Sequence, residues 1–212
     1  MERVTLQAGC PRCRERFAAD GPRECPAHGE QPPLWRPEVT SYDAFTAHLE
    51  RAAGFPTYLP WPMGSGWRVS DFGVVAGDDG PAATVTCVSG TTGPDGRVDV
   101  LVVVEEPGIG LGGRCAGLEG TDPGPDFGHG PPTVRVRVGS QGVALWPVST
   151  AGADVDLDRS VVAGEVTGRW LWLVLHPASA VLLLADEWWL RDVADDGPHL
   201  VEMPCEGPGP VW

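Results

Sequence analysis

Lysine is absent from this 212-residue chain; its 15 basic residues are all arginines, set against 29 acidic ones for a formal net charge of −14. A surface of that sign repels phosphate backbones and anionic headgroups. Nucleic acid and anionic membranes are therefore excluded as default partners unless a local arginine patch escapes the overall sign. Met1 to Cys13 has neither the basic start nor the apolar run of a secretory leader, so the expected compartment is the cytoplasm. No apolar run is long enough to cross ~30 Å of hydrocarbon. The most apolar stretch, Gly168 to Val193, is interrupted at His176, Pro177 and Ser179. Lacking too is any complete set of nucleophile, base and oxyanion donors, so no reaction can be read directly.

What remains is a globular chain with long, punctuated loops. The 29 glycines and 22 prolines approach a low-complexity composition, but 42% hydrophobic residues and nine tryptophans demand a packed core. The length fits one domain of moderate size, or one domain with a small appendage.

The sharpest chemical signal is Cys10, Cys13, Cys25 and His28, spaced Cys-x2-Cys-x11-Cys-x2-His. Two paired knuckles around a short excursion bring four ligands onto one tetrahedral ion, the closed coordination of a structural zinc. A segment this short buries too little surface to fold alone, so the metal would supply most of its folding free energy. Four filled positions leave no place for substrate or activated water, so the expected cofactor is architectural Zn2+. Five arginines and five acids balance within residues 1–31, which argues against a nucleic-acid-binding ribbon.

The expected architecture is α+β and mainly antiparallel β: a zinc-ribbon-like segment over 1–31, a Pro-rich linker over 32–40 and a β-rich domain over 41–212. Ser41 caps one short helix from Tyr42 to Ala53, whose His48 receives no role beside its apolar neighbours. The strap of Pro56, Pro60 and Pro62 carries Tyr58, Trp61 and Trp67, read as capping the end of the core. Strands follow at Trp67 to Ala76, Ala82 to Ser89 and Arg97 to Glu105, then a hairpin at Thr133 to Val138 and Gly142 to Val148, and a short strand at Ser160 to Ala163. Val85 and Cys87 share one face of their strand, making Cys87 a buried small hydrophobe. Leu171 to Leu175 and Ala180 to Ala185 read as a central hairpin turning at His176 to Ser179, with strands apolar on both faces. Its second arm and Val100 to Glu106 each end an apolar run in two acids, a possible internal repeat that would gather four carboxylates to bind a divalent cation or to act as acid and base.

The irregular stretch from Pro107 to Pro132 has the spacing Gly108, Gly110, Gly113 of a dinucleotide-binding loop, but Gly117, Gly120 and Pro123 break any helix that would receive the pyrophosphate. A loop of this length in a compact domain marks a functional surface. Its candidate residues, with those of the preceding strand end, are Glu105, Glu106, Cys115, Asp122, Asp126 and His129.

Several segments together resemble an uncharacterised family of actinobacterial proteins: Cys25-Pro26-Ala27-His28-Gly29, Leu59-Pro60-Trp61-Pro62 with Gly66-Trp67, Glu105 to Gly112, Gly117-Leu118 with Asp122 to Asp126, and Trp170-Leu171-Trp172. The resemblance implies a bacterial cytoplasmic protein with a zinc-ribbon-like start and carries no catalytic residue with it. The expected function is a non-catalytic zinc-binding protein that contacts another protein through the strap tryptophans and the long loop. The alternatives are a hydrolase or transferase at the 105–132 loop and, against the charge, a nucleic-acid-binding ribbon.

Overall fold

A computed structural model describes residues 6–18, 23–93, 95–125, 127–150, 158–186, 188–194, 196, 203–207, 209–210 and 212. The chain is mostly β. The knuckle region contributes β1 (Leu6–Gly9), β2 (Glu24–Cys25), β3 (Gly29–Glu30) and β4 (Leu34–Pro37). Helix α1 (Tyr42–Arg51) follows, then β5 (Tyr58–Pro60), β6 (Arg68–Gly77), β7 (Gly80–Thr92) and β8 (Gly96–Glu105). After α2 (Leu111–Ala116) come β9 (Val134–Val138), β10 (Gln141–Pro147), β11 (Ser160–Val166), β12 (Arg169–His176), a 3-10 helix (Ala178–Ala185) and β13 (Trp189–Asp192). No helix among the described residues is long and apolar enough to cross a membrane.

Eleven strands form one sheet in the order β1-β4-β6-β7-β8-β12-β11-β10-β9-β13-β5. Its neighbours are antiparallel except β13 and β9. The meander β6-β7-β8 follows from β-branched runs separated by glycine-containing turns, as the sequence predicts. Side-chain alternation then divides the core between two faces. One face carries Phe72, Val100, Val102, Val104, Leu171, Leu173 and Leu175, and is covered by Phe45 of α1 together with Leu59 and Leu190. The hydroxyls of Thr84 and Thr86 point to this side and donate at 2.6 Å to the carbonyls of Pro56 and Tyr58, docking the last strand of the sheet across β7. The opposite face carries Val85, Cys87, Leu101, Val103, Trp172 and Val174, covered by Leu111, Cys115 and Ala116 of the α2 segment and by Trp212. Cys87 is fully buried and burial pushes its thiol up, as befits a small hydrophobe.

Ser41 caps α1 by accepting the Ala44 N–H at 3.2 Å, and the helix closes at Arg51. His48 lies in its buried stripe, stacked on Phe45 and edge-on to Phe72, with Nε2 3.3 Å from the Thr57 hydroxyl. Burial lowers its pKa to about 3, so it is a neutral core side chain.

Four expectations need correction. The 107–132 stretch, expected to be irregular, contains a second helix, α2, which Gly117 ends after six residues. Leu171 to Leu175 does lie in a fully buried central strand, but Ala180 to Ala185 is not its hairpin partner, because these residues turn in the 3-10 helix. The hairpin partner of β12 is β11, joined through Thr167 and Gly168. The apolar run is Ala- and Leu-rich with one β-branched residue, and Ala180 and Leu184 alone are buried, a helical rather than a strand spacing. With it falls the internal repeat, since only Val100 to Glu105 is a strand; Glu187 lies outside the described residues. Finally, residues 34–37 of the expected linker pair with β1, and Leu34 and Trp35 pair with β6 as well. The knuckle therefore extends the main sheet rather than hanging from it.

Candidate metal centre

Cys10 and Cys13 follow β1, while Cys25 and His28 belong to the β2-β3 hairpin, where the His28 N–H donates to the Cys25 carbonyl at 3.2 Å. Main-chain bonds from Cys10 to the Glu15 carbonyl and from Phe17 to the Ala8 carbonyl fold the first knuckle back on β1. Phe17 packs beside Cys10 and Cys25 as a small apolar cluster of its own.

The donor atoms of Cys10, Cys13, Cys25 and His28 all lie within 4.8 Å of one another. His28 Nδ1 is 3.5 Å from Cys10 Sγ and 3.4 Å from Cys25 Sγ, and Cys13 Sγ is 3.5 Å from Cys25 Sγ. All three cysteines are free of disulfides. Three thiols and an imidazole at these separations can bind a metal ion: a tetrahedron with metal-sulfur bonds of ~2.3 Å has edges of about 3.5 to 3.8 Å. Burial pushes the Cys10 thiol up to about 11, and the Arg12 main-chain N–H, 3.4 Å from its Sγ, pulls the other way.

Two arginines clasp this centre to the sheet. Arg12 donates through Nη2 to the Gly108 carbonyl at 2.7 Å and through Nε to the Ile109 carbonyl at 3.2 Å. In return, Arg114 of α2 donates through Nη1 to the Cys10 carbonyl at 2.6 Å. Arg114 also lies over the Trp212 ring, 4.9 Å from its centroid, and Arg36 lies 4.1 Å from the same centroid. Trp212 Nε1 donates to Asp71 at 2.8 Å, and Asp71 also receives both a two-point ion pair from Arg36 and the Phe72 N–H. Neither Asp71 nor Trp212 was among the sequence candidates. A lone acid inside the apolar run of β6 was the available signal, since unpaired acids are almost never fully buried.

Glu105, through its bond to Leu111, and Cys115 sit on the same face as Trp212. Glu105 is fully buried, with Oε2 accepting the Leu111 N–H at 2.7 Å and Oε1 the Gly112 N–H at 3.1 Å. Its carboxylate thus closes the start of α2, the position a phosphate would take in a dinucleotide site. Burial pushes its pKa up to about 7, against the opposing pull of those two N–H groups. The Trp172 indole N–H lies alongside and also favours the charged form, although it completes no hydrogen bond. Glu106 is half-exposed and pairs with Arg169 at 2.8 Å. Asp122 accepts the Trp170 indole N–H at 2.6 Å and the Gly108 N–H at 3.2 Å, pinning the loop to β12. Cys115 is buried in the core, and burial pushes its thiol up to about 12. His129 is exposed and makes no hydrogen bond to Cys115 or Glu105, and Asp126 lies outside the described residues.

The strap does more than cap the core. Tyr58 and Trp67 pack against the first core face, as expected, but Trp61 and Trp67 also line an open pocket of about 520 Å³ with Trp188 and Trp189.

Residues 4–211 match the model of DUF6758, a family of unknown function. The chain belongs to this family. No curated protein and no solved structure matches it. The match takes in the knuckle, the sheet and the loop together, consistent with the continuity of β1 and β4 with β6.

Proposed function

We propose that this DUF6758 protein is a non-catalytic binding or scaffolding module whose N-terminal ribbon is closed by one structural zinc ion. The observation that carries the reading is the complete Cys10, Cys13, Cys25, His28 donor set. Thiolate-rich tetrahedral sites favour zinc among common divalent ions, and four protein donors leave no open position for substrate. The groups nearest to a catalytic inventory support binding over chemistry. Both oxygens of Glu105 are engaged by main-chain N–H groups, Asp122 holds the loop, and the Cys115 thiol is buried and protonated at neutral pH.

The arginine distribution weighs against the nucleic-acid reading. Arg12, Arg36, Arg114, Arg169 and Arg191 are each engaged with carbonyls or carboxylates of the chain itself. A phosphate-binding face needs a free basic surplus. The partner in this reading is another protein, contacted through the tryptophans at the strap and the outer part of the loop.

Elemental analysis of purified protein tests the proposal, with one zinc per chain as the expected result. A second tightly held metal, or zinc retained after removal of the Cys25 thiol, would overturn it.

A further inference from the structure

The pocket beside the strap combines a rigid aromatic lining with a single charge. Trp67 lines it and packs on the backbone of β7. Its ring lies so close on Gly90 that a Cβ added there would sit 2.5 Å from the indole atoms. Trp188 stands edge-on to Trp67 with ring centroids 6.5 Å apart and planes at 84°. Trp61 and Trp189 complete the rim, tied by a 2.8 Å bond from the Trp61 N–H to the Trp189 carbonyl. Trp189 remains half exposed, an unusual position for so large an apolar side chain. The volume, about 520 Å³, is that of a small-molecule site.

Among the lining residues the one ionisable side chain is Asp186, which is exposed and for which no ion pair occurs among the described residues; no basic residue lines the pocket. Aromatic faces and a carboxylate both attract cations, the first through the ring quadrupole and the second directly. Two of these rings already accept guanidinium groups. Arg191 lies 5.1 Å from the Trp61 centroid and Arg137 4.9 Å from that of Trp189. Arg191 is itself neutralised by Asp196 at 2.7 Å. The chain has no lysine, so no lysyl ammonium of its own competes for the pocket, and its net charge of −14 draws cations toward it.

We infer that this pocket is a binding site for an alkylated ammonium cation, held by the tryptophan faces and countered by Asp186. The cation can arrive on a methylated lysine side chain of a partner or as a free quaternary amine; the chemistry is the same. The inference deepens the binding function proposed above, yet it concerns the pocket and not the zinc, so each can fail alone.

Calorimetric titration of the full-length protein with choline tests it, using 3,3-dimethylbutan-1-ol as a neutral control of the same shape. Saturable choline binding is expected, roughly ten-fold tighter than that of the alcohol. Asp186→Asn and Trp189→Ala should each weaken choline binding by about that factor while zinc content and melting temperature hold. A peptide bearing trimethyllysine, compared with its unmodified lysine form, separates the two sources: a gain over choline assigns the cation to a partner, and none assigns it to a free amine. Equal binding of choline and the alcohol, or no saturable binding of choline and the modified peptide, would overturn the inference.

Discussion

Glu105 Oε2 and the Leu111 main-chain N–H meet at 2.7 Å, so a carboxylate at the end of β8 forms the cap of the helix that covers β8. Strand and helix are fixed to each other through one titratable group.

Its titration gives the first prediction. The folded-state pKa is raised to about 7 from an ordinary value of 4.5, chiefly by burial. The folded protein therefore holds this proton more tightly than the unfolded chain, and stability should fall as pH rises through that window and level off above it. At about 1.4 kcal/mol per pKa unit the contribution is of the order of 3 kcal/mol. Urea denaturation at intervals from pH 4.5 to 8 measures the slope, and Glu105→Gln should flatten it. An equal slope in the variant would assign the effect to other groups.

A second prediction concerns the packing that buries Glu105. Trp172 is fully buried, and a Cβ placed on Gly112 would lie 2.3 Å from its Nε1. Trp172→Ala is expected to cost about 3 to 5 kcal/mol, and Gly112→Ala about 1 to 3 kcal/mol through overpacking. Removing the indole makes room for the added methyl, so the two costs should not add. A double-mutant cycle in denaturant measures this coupling, and strict additivity would show that the ring and the glycine do not meet.

The contrast between what was legible and what was not follows from the range of the forces involved. β6, β7 and β8 could be read because β-branched residues alternate over short spans, and the convergence of Cys10, Cys13, Cys25 and His28 because their spacing is that of a closed donor set. The 3-10 helix could not be separated from a strand by its apolar run alone. Cys115, Asp122 and Glu105 were legible as reactive residue types. Their partners, among them the Leu111 N–H and the Trp170 indole, are set by how the loop folds back on the sheet. The clasp of Arg12 on Gly108 and Arg114 on Cys10 joins positions about a hundred residues apart, where local spacing carries no signal.

Loss of one of the four donors is the third case. Cys25→Ser should abolish stoichiometric zinc and increase hydrogen exchange across residues 6–18 and 23–31, while amides of β7, β8 and β12 stay protected. The distinction arises because Cys10, Phe17 and Cys25 form a cluster apart from the two main core faces. Exchange that rises uniformly over the sheet would instead make the knuckle part of one cooperative unit.

The last prediction links Trp212 to the metal. The guanidinium groups of Arg36 and Arg114 lie 4.1 and 4.9 Å from its ring centroid, and Arg114 in turn holds the carbonyl of Cys10. Trp212→Ala removes a buried ring, at an expected cost of about 3 to 5 kcal/mol. It also takes the ring contact from Arg114, leaving it only the Cys10 and Trp212 carbonyls among its described partners, so zinc should pass to a competing chelator faster than from the wild type. Trp212→Phe separates the two effects, because it keeps an aromatic face for both arginines but loses the indole N–H that donates to Asp71 at 2.8 Å. Its zinc release should stay near the wild-type rate even though stability falls, since a buried carboxylate left short of a donor is costly. Release rates that follow global stability in both variants would show that metal leaves only by unfolding, and that Arg114 exerts no specific hold on the knuckle.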